Sequence, residues 1–317
     1  MASSASNSSL QSISIEKIDR NPDNPRLVFR PGELEELQES IRLYGIQVPI
    51  SVYREGGRLV LIDGERRWRC ALKLNHKTIP ALVQKKPAAL ENLLMMFNIH
   101  ALREQWDLLT IALKLPRIIE LLTKELERAP TEQEISERTG LKRAIIRRSK
   151  LLMNLPDRYK DQILNELEKP KSQQRLTEDL FIELERALTT VERAVPEVIP
   201  RRDTVRRALL RKFQQKIIKN RVLFRQVARI ARAEKVHVDR DIAIVELNKL
   251  FQDNDYTIET AYANSVSEAY VERDIGTRIE GLLTLLEDVD PDEIDDWVRE
   301  QLERLAEKVT SLLRGAS

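Results

Sequence analysis

The chain has 317 residues, of which 33% are charged and 5% aromatic, a balance that favours helix-rich, well-solvated structure over an all-β fold. Its 53 basic and 51 acidic residues nearly cancel, so overall charge selects no partner, although residues 201–235 are heavily basic and residues 287–296 are acidic. The single cysteine, Cys70, excludes a disulfide scaffold, and no apolar run approaches membrane-spanning length. We therefore expect a cytoplasmic protein without a membrane partner.

The first part of the chain predicts a compact α+β domain. Residues 1–11 are rich in Ser, Asn and Ala and are expected to form a disordered tail. Within residues 12–85, SISIEKID alternates like a strand, ELEELQESIRLYG has helical spacing, VPISVY and RLVLID flank a hairpin turn, and TIPALV returns as a strand. Beyond this domain the apolar spacing is helical, which predicts a helical domain at 86–170 and a helical region at 175–317.

The stretch LIDGERRWRC, residues 61–70, predicts a phosphate site on a strand-to-helix turn. Gly64 lets the backbone approach a ligand, and the first turn of the following helix offers unpaired N–H groups and a partial positive charge. Arg66, Arg67 and Arg69 add forked donors that match phosphate oxygens. Cations near a helix N-terminus oppose the helix dipole, so a bound polyanion would account for them. The alternative is an ordinary solvated helix end.

Residues 130–155 predict a helix-turn-helix. Thr131 is a good N-cap with Glu134 at the capping-box spacing, and Gly140 permits a tight turn. Leu141, Ile145 and Leu152 form the predicted buried stripe of the second helix. A basic helix of this kind fits the major groove, although a helical hairpin with a solvated basic face is the alternative. The residues expected to contact DNA are Thr131, Gln133, Lys142, Arg143, Arg147, Arg148 and Lys150.

Two features of the last region predict interaction surfaces. Residues 205–233 form a basic amphipathic stretch, which is either a surface that neutralises DNA phosphates or a solvated face that pairs with acidic segments further on. The final helix carries an apolar stripe suited to a partner helix, at Trp297, Leu302, Leu305, Val309 and Leu312.

Several of these motifs together resemble the ParB partition-protein family. GERRWRCA is similar to a characteristic box of that family, and NPDNPRLVF, LEELQESIRLYGIQVPISVY and IDGERRWRCALKLNHKTIPALV agree with it in order and spacing over about residues 13–83. The resemblance implies a ParB/sulfiredoxin-like α+β domain followed by a helix-turn-helix and mostly α-helical regions. It also implies a homodimer that recognises a site on double-stranded DNA and closes around it on binding CTP with Mg²⁺. Such a protein would act in plasmid or chromosome partition, associated with the nucleoid or a plasmid, with a ParA-type ATPase as a partner.

The resemblance also assigns residues to the nucleotide. The matching positions are Gly64, Glu65, Arg66, Arg67 and Arg69 around the phosphates, and then Asn98 and Arg103 in the box that follows.

One departure from the family concerns the metal. Phe97 stands where the family has the glutamate that serves the metal, so the metal ligands stay unassigned and we expect at most weak CTP hydrolysis. The second half of the chain diverges from the family.

Two other functions stay open. The chain could be a transcriptional regulator with a degenerate nucleotide site, which Phe97 motivates. A nuclease or phosphotransferase is less supported. Few carboxylates apart from Asp63 and Glu65 lie near the turn in the sequence, and two-metal chemistry needs more carboxylate ligands than these.

Overall fold

The computed structural model describes residues 9–22, 24, 29, 31–101, 107–287, 289–290 and 294–314. The chain forms two compact units: the first takes the described residues up to Thr189 together with Asn220–Phe224, and the second takes Thr190–Lys219 and the described residues from Arg225 onward. The strands are β1 (Ser9–Ser14), β2 (Ile18–Asp19), β3 (Ile50–Glu55), β4 (Arg58–Asp63) and β5 (Thr78–Gln84). The helices are α1 (Pro31–Tyr44), α2 (Glu65–Lys73), α3 (Ala89–Ala101), α4 (Leu108–Leu126), α5 (Glu132–Thr139), α6 (Arg143–Met153), α7 (Asp157–Leu167), α8 (Glu178–Ala194), α9 (Arg202–Gln214), α10 (Phe224–Ile230), α11 (Arg240–Gln252), α12 (Ile258–Ala263), α13 (Ser267–Glu287) and α14 (Asp296–Arg314).

The strands of the described residues form one mixed sheet in the order β1-β5-β3-β4-β2. The hairpin of β3 and β4 is antiparallel, whereas β3 and β5 are parallel, as are β2 and β4. The alternating segment SISIEKID, predicted as one strand, is two strands separated by a 3-10 turn at Ile15–Lys17. The two halves cannot be one strand because β1 pairs with β5 while β2 pairs with β4.

The sheet is covered on both faces, and β4 shows how its sequence divides them. Successive side chains of a strand point to opposite faces. Val60 and Ile62 join the core formed with α3, α4 and the α5–α6 pair, whereas Leu59 and Leu61 join the core beside α2. The α+β prediction for this part of the chain is therefore confirmed, and the helix-turn-helix packs into the same core as one face of the sheet.

The second unit is helical in its described residues. The basic stretch contributes Leu209, Val227 and Ile230 to the core, and Lys212 is buried as well. The Lys212 Nζ donates to the carbonyl oxygens of Leu250 at 2.7 Å and Tyr256 at 2.5 Å, and burial lowers the pKa of this lysine. This cation therefore stabilises the end of α11 and is not available at the surface.

No helix in the described part of the chain is both long and apolar enough to span a membrane.

Candidate nucleotide and DNA sites

Gly64 makes the turn from β4 into α2. Its φ of +94° lies in the left-handed region, and the Trp68 N–H donates to its carbonyl at 3.0 Å to close the first helical turn. A Cβ added to Gly64 would stand 2.6 Å from the Ile50 Cγ2 and 3.0 Å from the Arg67 Nη2. Both backbone conformation and space therefore favour glycine here, and the first N–H groups of α2 are brought close to the arginines that follow.

Glu65 organises one side of this turn. The side chain is only 3% exposed, and its carboxylate accepts hydrogen bonds from the Nε and Nη2 of Arg69 at 2.9 and 2.7 Å. It also accepts from the Arg20 Nε at 2.8 Å and from the Asn24 Nδ2. Arg20 was not predicted, because it follows β2 and reaches Glu65 only through the fold.

Arg67 and Arg66 occupy the other side of the turn. The Arg67 Nη2 donates to the Asp63 carboxylate at 2.8 Å, and its Nη1 donates to the Val48 carbonyl at 2.6 Å and the Pro49 carbonyl at 2.9 Å. The Arg66 Nη2 donates to the Glu33 carbonyl at 2.8 Å and lies 3.7 Å from the Glu33 carboxylate. These contacts hold the guanidinium groups in place before any anion binds.

The donor set at the turn fits a polyanion. Four arginines, at 20, 66, 67 and 69, contribute +4, and three carboxylates, at 33, 63 and 65, contribute −3, which leaves +1. The buried Nε of Arg66 has no hydrogen-bond acceptor among the described residues. A buried donor without an acceptor costs about 1–3 kcal/mol, and a phosphate oxygen would satisfy it.

The described residues do not provide the ligands of a metal site. Among the described residues, no group of three His, Cys, Asp or Glu side chains could hold a metal ion. Asp63 and Glu65 are both held by arginines, so we assign no magnesium ligand.

Of the residues assigned to the next box, the structure describes Asn98 and its neighbour Phe97. Phe97 is fully buried in the core with Leu93 and Met96. The Asn98 Oδ1 lies only 2.7 Å from where a Cβ on Gly140 would stand, so Asn98 lies against the turn of the helix-turn-helix. Arg103 lies outside the described residues.

Cys70 packs in the core and is not a reactive group. It is fully buried, burial raises the pKa of its thiol, and its Sγ donates to the Leu34 carbonyl at 3.5 Å.

The helix-turn-helix is α5, the Gly140 turn and α6. Thr131 caps α5 with the predicted capping box: the Glu134 N–H donates to the Thr131 Oγ1 at 3.2 Å, and the Thr131 N–H donates to the Glu134 carboxylate at 2.7 Å. Gly140 ends α5 with a φ of +73°. The buried stripe of α6 differs by one residue from the prediction, since Ile146 is fully buried and Ile145 only partly so.

The polar residues predicted to contact DNA are mostly open to solvent. Thr131, Gln133, Lys142, Arg143 and Arg147 are exposed. Gln133 donates to the Glu137 carboxylate at 2.9 Å.

Two carboxylates hold three cations of α6. Glu132 accepts from the Arg147 Nε at 2.9 Å and lies 3.6 Å from the Lys150 Nζ, and the hydrogen bond from Arg147 lowers the pKa of Glu132. Arg148 is half-buried and donates to Asp179. These acidic partners were not predicted, because no local spacing links Asp179 to α6.

Comparison with known proteins identifies the first part of the chain. Residues 1–98 match the ParB N-terminal domain. The chromosome-partitioning protein ParB of Caulobacter vibrioides is 32% identical over 155 residues, which cover 48% of this chain and 48% of that protein. The chain therefore matches about half the length of this curated relative.

Two solved structures of a C-terminally truncated ParB from Caulobacter crescentus are also similar. The complex with CTP-gamma-S is 28% identical, covers 56% of this chain and 97% of that chain, and has a TM-score of 0.29. The complex with the centromeric parS site is 25% identical, covers 70% of this chain and 98% of that chain, and has a TM-score of 0.41.

The four boxes of residues 13–83, the sheet with its Gly64 turn and the matched domain agree with one another. Residues 1–98 are therefore similar to the ParB N-terminal domain, and in the described residues a helix-turn-helix and further helices follow this part of the chain.

Proposed function

We propose that the protein is a DNA-binding partition protein of the ParB type and that it binds DNA through α6. The observation that carries this proposal is the row of exposed cations at the start of that helix. Lys142 is its N-cap, Arg143 is its first residue, and Arg147 follows one turn later on the exposed side. The N-terminal residues of a recognition helix are the ones that reach base edges in the major groove.

The packing of α6 supports a rigid presentation of these cations. Ile146, Ser149 and Leu152 are fully buried at three-residue spacing, which fixes the exposed side of the helix. Arg147 is held by Glu132 without being buried, so its remaining N–H groups can bond a base or phosphate. Thr131 is exposed at the N-terminus of α5, where the helix dipole favours a phosphate.

We further propose that the Gly64 turn binds the triphosphate of CTP. The first N–H groups of α2 and the guanidinium groups of Arg66, Arg67, Arg69 and Arg20 would hold it. The Nε of Arg66 supports this proposal most directly, since it is a buried donor that a phosphate oxygen would satisfy. When bound, the nucleotide would supply the free-energy difference between an open and a closed state of the protein.

The proposed assembly is a homodimer that acts on DNA in the cytoplasm. The α14 residues Val298, Leu302, Leu305, Val309 and Leu312 follow an alternating spacing of four and three, which is the seam of paired helices. Leu305 and Leu312 are 42% and 62% exposed, so this seam is uncovered in the single chain. The family resemblance adds a ParA-type ATPase as a further partner.

The DNA proposal is tested by selection of bound sequences. The protein is incubated with a random-sequence duplex library, retained DNA is sequenced, and wild type is compared with Arg143→Ala and Arg147→Ala. We expect wild type to enrich one motif and the variants to lose about tenfold or more of that enrichment, since a base contact is worth about 1–3 kcal/mol.

The matched control is Arg42→Ala, which removes an exposed arginine of α1 paired with Glu39. It should enrich the motif as wild type does. Enrichment of no sequence by wild type, or the same enrichment in all four proteins, would overturn the proposal.

A regulator with a degenerate nucleotide site is the second candidate. Phe97 favours it, because a fully buried aromatic ring stands where the family has a metal-serving glutamate. In that case α6 would bind DNA with the same affinity with and without CTP.

A further inference from the structure

Asp179, at the start of α8, lies between two arginines from distant parts of the chain. The Arg148 Nη2 on α6 donates to the Asp179 Oδ1, and the Arg221 Nη2 lies 3.3 Å from the Asp179 Oδ2. Arg221 begins a 3-10 turn at Arg221–Leu223, within the same compact unit as α6. A cation from outside the helix-turn-helix is therefore fixed beside the candidate recognition helix.

The charges of this group leave it open to an anion. Two guanidinium groups share one carboxylate, so the group carries +1. The Arg148 and Arg221 side chains are 36% and 49% exposed. A guanidinium has five N–H donors, so a contact through one Nη leaves donors that can reach a phosphate oxygen.

The turn that carries Arg221 is itself held in place. The Asn220 Oδ1 accepts a hydrogen bond from the Val222 N–H at 2.9 Å, which caps the turn. Because the turn is already ordered, Arg221 loses less conformational entropy when it binds DNA.

The Asp179 group differs from the other group on α6 in which one carboxylate contacts two cations. Glu132 joins Arg147 and Lys150, and all three belong to the helix-turn-helix. Asp179 instead joins a residue of α6 to a turn that lies far beyond it in the sequence.

We propose that Arg221 binds a backbone phosphate of the DNA held by α6, with Asp179 as the residue that positions it. This inference rests on the proposed DNA-binding function. A phosphate contact fixes the protein on the duplex and carries no sequence information of its own. Arg221 should therefore contribute equally to binding of any duplex.

The test is fluorescence anisotropy of a labelled mixed-sequence duplex and of the duplex enriched by selection, over a range of salt concentrations. For Arg221→Ala we expect about three- to tenfold weaker binding of both duplexes at low salt. The slope of log K against log salt should fall in magnitude by about 1, since about 0.9 of a counterion is released per phosphate contact. Arg221→Lys keeps the charge and should restore most of the slope.

The matched control is Arg186→Ala, because Arg186 is equally exposed at 49% and also pairs with a carboxylate of α8, Glu183. It should bind as wild type does. A wild-type slope for Arg221→Ala, with thermal unfolding unchanged, would overturn the inference alone. An effect confined to the enriched duplex would also overturn it, and failure of wild type to bind either duplex would refute the proposed function as well.

Discussion

Gly64 and the charged residues around it decide what the turn after β4 can bind. The glycine allows α2 to begin directly at the end of the strand, and Asp63 and Glu65 on either side of it hold Arg67 and Arg69. The carboxylates are thus positioning groups for arginines, and in the proposed site the arginines and the first N–H groups of α2 would contact the anion. The site is a pre-assembled array of donors.

Substitution of Gly64 by alanine should destabilise the first unit. The new methyl group would meet Ile50 at 2.6 Å, in addition to the cost of a positive φ, so we expect a loss of about 2–4 kcal/mol in the free energy of unfolding. Urea denaturation measures it.

Gly57→Ala in the β3–β4 hairpin is the control, because Gly57 has a φ of +82° but no atom within 4 Å of an added Cβ. It should cost only about 1 kcal/mol. Equal losses in the two variants would show that the contact with Ile50 is not the cause.

The arginines of this site could be predicted from the sequence, but their partners could not. The order Gly64-Glu65-Arg66-Arg67 is local, so the strand-to-helix turn and its cations follow from spacing alone. Arg20 reaches Glu65, and Glu33 reaches Arg66, only because α1 and the segment after β2 are folded against α2. Long-range pairs of this kind leave no periodic signal.

The first turn of α4 is stabilised by a carboxylate from another helix. Glu178 of α8 accepts a hydrogen bond from the Leu109 N–H at 2.6 Å, which satisfies a donor at the start of α4. Burial raises the pKa of Glu178 to about 7, against the effect of that hydrogen bond. Two helices are thus joined through a titratable group whose charge changes near neutral pH.

Glu178→Gln should therefore change how stability depends on pH. The pKa of Glu178 is higher in the folded than in the unfolded chain, so its contribution is full below about pH 4.5 and is lost as pH rises through about 7. Glutamine keeps the acceptor for Leu109 without the charge. The variant should gain stability relative to wild type between about pH 5 and about pH 8, as measured by urea unfolding.

Glu120→Gln in α4 is the control, because hydrogen bonds from Lys124 and Arg117 lower the pKa of Glu120 to about 2. The Glu120→Gln substitution should change the free energy of unfolding by the same amount at about pH 5 and at about pH 8. If the difference in the free energy of unfolding between Glu178→Gln and wild type did not change with pH, the assigned pKa of Glu178 would be contradicted.

The helices follow the sequence closely where capping and apolar spacing agree. The capping box at Thr131 and the glycine at 140 set the limits of α5, and both are local signals. Of the stripe predicted for α6, Leu141 and Leu152 are buried. Ile146 and not Ile145 lies fully in the core, because tertiary packing decides which of two adjacent isoleucines turns inward. SISIEKID has strand periodicity throughout, but tertiary pairing divides it between two neighbours of the sheet.

In the first unit, the candidate nucleotide site and the candidate DNA-binding helix are connected through one hydrophobic core. Val60 and Ile62 of the strand that leads to Gly64 pack in the same cluster as Leu141 and Ile146 of the helix-turn-helix. Asn98 on α3 also lies against Gly140. A change at the Gly64 turn therefore has a packed route to α6 within the first unit, which is the physical basis for expecting the two ligands to influence each other.

The most direct test is the affinity of the protein for its enriched duplex without nucleotide, with CTP and with ATP. Wild type is compared with Arg66→Ala, and with Arg58→Ala as a control at the opposite end of β4, where Arg58 pairs with Asp19. We predict that CTP, and not ATP, changes the DNA affinity of wild type and Arg58→Ala, and that Arg66→Ala binds DNA but loses the response to CTP. The same DNA affinity of wild type under all three conditions would contradict nucleotide control.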